Sequence, residues 1–359
     1  MRAQRTRWLA LLGISLALLL MAVSICVGST GLDNLLVLMW SPDAPADQAE
    51  MAWKIILDIR LPRTLGAWAA GALLGLAGAV AQGLFRNALA DPFLLGSASG
   101  ASFGVAMALA VLGAGAGMLG GASTINGEVA SGVFSSNLWV RLGLTGAAFI
   151  GAVLAVLLTL LLSRGVGHTV RLLLSGVVVG VVLGACTQLV LIFTPDAFQA
   201  MQAFMLGSTA FVGWTSSLLM LGIWMMCYFL SWLMSAVLDG LSLGDATARS
   251  LGLPVVPMRA ALVGVLALAT GTAVAQTGLI AFVGLAAPHL TRSLVKTTHA
   301  HLMLLASLVG GLLLLSSDIL ARGLIAPQEL PVGVLTAVLG GGYLLWLMNR
   351  SQTRTGESR

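Results

Sequence analysis

Charge is scarce in this sequence. Only 9% of its 359 residues are Asp, Glu, Lys or Arg, against roughly 25% in soluble domains. A water-facing surface for a fold of this size could not be built from so few. Lysine occurs twice, at Lys54 and Lys296. No GxxxxGKS/T run is present to hold a nucleotide's phosphates, so transport driven by ATP would need a separate ATPase chain. The three cysteines, Cys26, Cys186 and Cys227, each lie inside an apolar block and form no CxxC pair. They read as small buried hydrophobes, not as a disulfide framework or metal site. The four histidines, His168, His289, His299 and His301, have no triad-like setting, and His299-Ala-His301 reads as solvated loop. Sustained apolar–polar alternation is missing, which argues against a β-barrel. The chain offers no catalytic constellation, metal site or cofactor site of its own.

Apolar residues fill the space that charge leaves. They make up 58% of the chain and come in long blocks, among them Trp8 to Gly28, Val170 to Phe193 and His301 to Leu320. Each is close to the ~20 residues that cross ~30 Å of hydrocarbon as a helix. Glycine is abundant, at 44 residues, which suits close helix packing in lipid. The expected fold is therefore all-α, one polytopic membrane domain over 1–359. Ten helices are expected, near 8–28, 62–85, 94–118, 138–163, 170–193, 207–236, 256–276, 279–295, 302–321 and 332–349. The segment 29–61 is acidic and extramembrane, 119–137 a Gly/Ser-rich loop, 194–206 a surface helix, 237–255 the largest loop, and 351–359 a polar, disordered tail. Arg2, Arg5 and Arg7 precede the first apolar run, and no A-x-A site follows it; it reads as a retained helix, not a cleaved signal.

The net charge of +5 does not point to nucleic acid, because the bases are scattered between apolar blocks with no stripe and no interleaved aromatics. They act as topology signals. With both termini cytoplasmic, 13 bases fall inside and 5 outside (Lys54, Arg60, Arg63, Arg141 and Arg322), the bias expected of a bacterial inner-membrane protein. Two of the outer arginines open the second helix as Arg60-Leu-Pro-Arg63, where they can anchor headgroups or dock carboxylates of a soluble partner. Asp318 and Arg322, four apart, share a helix face and can pair. No chain of buried carboxylates or histidines crosses the membrane, which argues against a proton-coupled secondary transporter. Gly176, Gly180 and Gly184 leave one face of the fifth helix almost bare, either for packing within the subunit or as a smooth pathway wall. Gly115-Ala-Gly117-Met-Leu-Gly120 fits GxGxxG by letter only, since it ends an apolar helix. One internal echo, Ala79-Val80-Ala81-Gln82 and Ala273-Val274-Ala275-Gln276, precedes Pro92 and Pro288 at similar distances and runs in opposite directions in this topology, as in inverted-repeat transporters.

Several ordered blocks resemble the FecCD-type permeases, membrane subunits of ABC importers for iron–siderophore complexes, haem and cobalamin. They are Arg60-Leu-Pro-Arg63 with Gly71, Gly78 and Gln82; Arg86 to Pro92 with Leu95-Gly96 and Gly100-Ala101; Gly278 to Leu285 with Pro288-His289 and Arg292; and Pro327, Glu329-Leu330-Pro331, Gly333 and Thr336 to Gly340. The resemblance runs from about residue 55 to 350. Ala88 stands where the family usually has proline, and Gly342 where Gly-x-Pro is usual. The resemblance implies a ten-helix subunit that pairs with a second copy of itself. Two ATPase subunits, which bind ATP and Mg, lie inside, and a periplasmic binding protein docks outside. It implies docking roles for Arg60, Arg63 and Arg322. It implies an ATPase-coupling segment within 241–253, with Leu243, Gly244, Asp245, Arg249, Leu251 and Gly252, broken at the two glycines. Gate positions fall at Asn87, Leu89, His168 and Thr169, and pathway walls on helices five and ten. The expected function is import of an iron chelate, haem or ferric siderophore, by alternating access, with cobalamin the alternative and an ion-coupled carrier a weaker one.

Overall fold

A computed structural model describes residues 2–28, 31–32, 46–118, 138–166 and 169–356, nearly all of them helical. The first helix, α1 (Arg2–Cys26), leads into a two-residue antiparallel ladder in which Val27 faces Leu32 and Gly28 faces Gly31. Then α2 (Ala46–Lys54) runs through a π-helical stretch (Ile55–Arg60) into α3 (Leu61–Phe85) without a break. Half of the segment expected to be extramembrane loop is thus an extension of the second membrane helix. After α4 (Ser97–Met118), α5 (Leu138–Leu162) and α6 (Thr169–Phe193) comes a short surface helix, α7 (Phe198–Leu206), followed by α8 (Trp214–Leu233). Two short helices, α9 (Ser235–Ser242) and α10 (Asp245–Ser250), form the largest loop. The chain closes with α11 (Val255–Thr277), α12 (Val283–Leu294), α13 (His299–Gly323) and α14 (Val332–Gly356). Among the described residues, seven helices are long and apolar enough to cross a membrane.

Among the described residues, helices stand at the ten expected positions in the expected order, with three corrections. The helix expected from residue 207 begins at Trp214, because Gly207 takes φ +68° and turns the chain back. The segment expected at 279–295 is helical only over 12 residues. That is about 18 Å of helix, too short to span alone. The non-helical stretch before it is sheltered by protein: Leu279 N–H donates to the Phe204 carbonyl at 3.0 Å, and Ser208 N–H to that of Thr277 at 2.8 Å. Irregular backbone survives at membrane depth only with such partners. The tail expected to be disordered from Ser351 continues as helix to Gly356.

The centre of the bundle is α3, buried along nearly its whole length. It owes this to small residues. A Cβ added at Gly71, Gly75 or Gly78 would fall 2.3, 2.2 or 1.6 Å from the carbonyl oxygens of Gly310, Ala306 and Gly284. These positions stripe one face at helical spacing and let α13 and α12 approach backbone to backbone. The two echo segments lie on α3 and α11, which pack against each other. At the rim, α1, α5, α6 and α8 turn large apolar side chains outward, as lipid or a second subunit requires.

Candidate functional site

Charged clusters sit at the two ends of α3. At its first turn, Arg63 grips two acids of its own chain. Nη1 and Nη2 donate to the Glu329 carboxylate oxygens at 3.0 and 2.9 Å, while Nε and Nη2 reach Asp318 Oδ1 at 3.2 and 3.0 Å. Asp318 is fully buried and also pairs with Arg322 at 2.8 Å, the contact their spacing predicts. The Thr209 hydroxyl donates to Asp318 as well. Arg322 spends its other donors on the carbonyls of Ser24 and Val27 and on the Ser24 hydroxyl, which in turn bonds Thr64. Two guanidiniums thus meet two carboxylates, and the cluster is neutral. Arg60 stands beside it and donates to the Ile25 carbonyl at 2.9 Å.

This geometry sets a condition on docking. Arg60, Arg63 and Arg322 are only 7%, 6% and 1% exposed, so they are not surface cations awaiting a partner. Ion pairs this far from water hold only when nearly every donor is matched, and here the matching acids come from the same chain. Glu329 was read only as part of a family motif. It is the one acid of the cluster at the rim, where with Arg63 it borders a 590 Å³ cavity between residues 203–211 and 327–331.

At the opposite end the organising residue is Asp245, the first residue of α10. Its two carboxylate oxygens lie 3.2 and 3.1 Å from Arg259 Nη2, and Arg86 stands 3.6 Å away. Arg259, 2% exposed, also donates to the Val166 carbonyl at 3.1 Å. Asp245 and Arg259 together therefore join three pieces: the loop after α3, the loop before α6 and the start of α11. Gly244 and Gly252 flank α10 at φ +110° and +77°, so the expected breaks are present. Around them, Leu243 and Leu251 are 66% and 61% exposed and Arg249 is exposed, an apolar and basic tip. A second tether holds α9, where Asp239 accepts from His299 N–H at 3.0 Å and contacts its Nδ1 at 2.7 Å. His301 contacts Thr298 at 3.2 Å, and among the described residues no cluster is suited to a metal.

The FecCD transport family model matches residues 12–350. The chain belongs to the FecCD transport family. It is 35% identical to the hemin transport system permease protein of Yersinia pestis, over 93% of this chain and 95% of that protein. It is equally 35% identical to the vitamin B12 import system permease protein of Pectobacterium atrosepticum, over 96% and 94%. Among solved structures, a metal-chelate type ABC transporter in an inward-facing conformation superposes with a TM-score of 0.77 at 25% identity, over 96% of this chain and 99% of that one. The chain is a membrane-spanning permease subunit of this family.

In this FecCD permease the glycines of α6 divide by depth. A Cβ at Gly176 would fall 2.1 Å from the Leu94 carbonyl oxygen, and Gly180 lies against Ser99 and Gly96, so both serve packing within the subunit. Gly184 meets nothing within 4 Å. The gate candidates Asn87 and Leu89 lie in an exposed turn where Leu89 N–H donates to Asn87 Oδ1 at 2.9 Å. His168 lies outside the described residues, and Thr169 is the first residue of α6. Sequence reasoning missed Arg259 and Arg86 as junction residues, having read Arg259 only as a topology signal and Arg86 as that and as part of a family motif. Their one usable signal was an arginine close to a helix end, Arg86 just after α3 and Arg259 near the start of α11.

Proposed function

We propose that this permease is the membrane subunit of an ATP-driven, binding-protein-dependent importer in the bacterial inner membrane. The observation that carries the reading is the Asp245 junction. A segment driven by a nucleotide-dependent partner would, through Asp245, Arg259 and Arg86, move both loops proposed as the gate. Leu243, Gly244, Asp245, Arg249, Leu251 and Gly252 form the coupling tip; Asn87, Leu89, His168 and Thr169 the gate; Gly184 a part of the pathway wall. Two copies of the chain enclose the pathway, two ATPase subunits bind ATP and Mg at the coupling side, and both termini face the cytoplasm. A periplasmic binding protein docks at the Arg60–Arg63–Arg322 end, where a partner carboxylate reaches Arg63 by exchange with Glu329. Mechanism is alternating access, with ATP-driven closure of the partners switching which mouth is open.

The cargo is an iron chelate, haem or ferric siderophore. Cobalamin is the alternative, supported by relatives of equal identity. Proteoliposomes holding the permease with its ATPase and loaded binding protein decide between them. Haem- or siderophore-stimulated ATP hydrolysis with uptake supports the first reading, stimulation by cobalamin alone the second, and uptake driven by an ion gradient without ATPase overturns both.

A further inference from the structure

Two cavities meet at the N-terminal end of α1. One, of 330 Å³, is lined by Arg5, Arg292, Ser293, Leu294, Val295 and Lys296. The other, of 140 Å³, is an apolar groove between α1 and α12–α13, with Leu9, Leu12, Gly13 and Leu16 on the α1 side. Leu294 and Val295 line both, so the basic cavity opens onto the groove. Three cationic side chains and no carboxylate line the first, and only apolar side chains, Thr291 and glycine line the second. Arg292 is fixed from behind, donating to the Gln82 side chain that is itself held by the Leu285 carbonyl. Arg5 and Lys296 are exposed.

We propose that this composite cavity binds one anionic phospholipid, its phosphate among Arg5, Arg292 and Lys296 and an acyl chain along the groove. Like charges gathered at the membrane boundary repel one another unless an anion joins them, and basic pockets between membrane helices recruit acidic headgroups for this reason. A zwitterionic lipid would bring its own ammonium into the same cluster. The groove supplies what a free phosphate cannot use. Gly13 leaves it open, since a Cβ there would touch only Leu308, at 3.5 Å, and the exposed Leu12 leaves its flank to the bilayer. The assignment rests on the chain lying in a membrane, not on what it transports.

Native mass spectrometry of the full chain in mild detergent, with equimolar phosphatidylglycerol and phosphatidylethanolamine, tests this. The chain should retain the anionic lipid with a preference of about fivefold or more per cation engaged. Arg5→Gln with Lys296→Gln should cut the ratio to about the fivefold that Arg292 alone supplies, and both residues are exposed enough to leave the fold intact. Gly13→Phe should reduce retention by filling the groove. Equal retention of the two lipids, an unchanged ratio in the double variant, or undiminished retention in Gly13→Phe would each overturn the site. So would displacement of the lipid by millimolar inorganic phosphate, which would mark a free-phosphate site.

Discussion

Both carboxylate oxygens of Asp245 converge on one nitrogen of Arg259, at 3.1 and 3.2 Å, across the turn from α10 to α11. Arg259 is buried, and it also donates to the carbonyl of Val166, in a loop 93 residues away in sequence. Asp245→Ala should take a carboxylate partner from that buried charge. The loss is about 1.5–3 kcal/mol, the worth of a hydrogen bond to a charged group, read as a lower unfolding midpoint in detergent. If the junction transmits motion, uptake per ATP hydrolysed should fall further than assembly with the ATPase does. Asp245→Glu should recover part of the coupling, and equal losses in both readouts would reduce Asp245 to a stabilising role.

Asp91 predicts a pH dependence. It precedes Pro92 at the end of the loop after α3 and accepts the Phe93 N–H at 2.7 Å. Burial raises its carboxyl above the ordinary value, and the Phe93 bond offsets this only in part. A raised folded-state value means that the stability this group contributes is fully present below the unfolded value, near 3.9, and is lost as pH rises through the folded one. Asp91→Asn keeps an acceptor for Phe93 and discards the charge. The variant should match the parent near pH 4 and exceed it in unfolding midpoint at pH 7. A variant less stable at pH 7 would contradict the burial argument.

Apolar blocks and the sign of flanking charge were enough to order the ten membrane segments, and the glycines at 244 and 252 marked the breaks around α10. These are local properties that a hydropathy pattern records directly. The i, i+4 pairing of Asp318 with Arg322 was readable for the same reason. The grip of Arg63 on Glu329 was not, since the two are 266 residues apart and only tertiary packing brings them together. Hence Arg63, read as an outer arginine open to a partner's carboxylates, is buried against acids of its own chain. The shortness of α12 escaped because hydropathy measures burial, and Gly278 to Phe282 is buried or half-buried without being helical.

Glycine packing predicts opposite outcomes at two positions. A Cβ at Gly78 would sit 1.6 Å from the Gly284 carbonyl oxygen, a backbone atom that no rotamer change can move. Gly78→Ala should force α3 and α12 apart at a cost of about 1–3 kcal/mol, seen as a clear fall in unfolding midpoint. At Gly264, in α11, a Cβ would meet nothing within 4 Å. There Gly264→Ala should be neutral or stabilising by up to about 1 kcal/mol, because alanine restricts the unfolded chain. Equal effects at both sites would refute the close backbone approach.

Glu329 supplies the sharpest test of docking. Its side chain is about a quarter exposed, whereas the Asp318 it shares Arg63 with is sealed. A carboxylate arriving from a binding protein must therefore displace Glu329, not Asp318, to reach the guanidinium. Glu329→Gln removes the competitor's charge while keeping its size, and Asp318 still holds Arg63 in place. Binding-protein affinity should then rise about three- to tenfold, the range of one charge-assisted contact, with a steeper loss on adding salt as the new pair forms nearer water. Arg60→Gln should weaken docking without touching the buried cluster. Surface plasmon resonance on the reconstituted permease measures both. Unchanged affinity in Glu329→Gln would mean that Arg63 serves only to bind α3 to α13, and docking would have to lie elsewhere on this face.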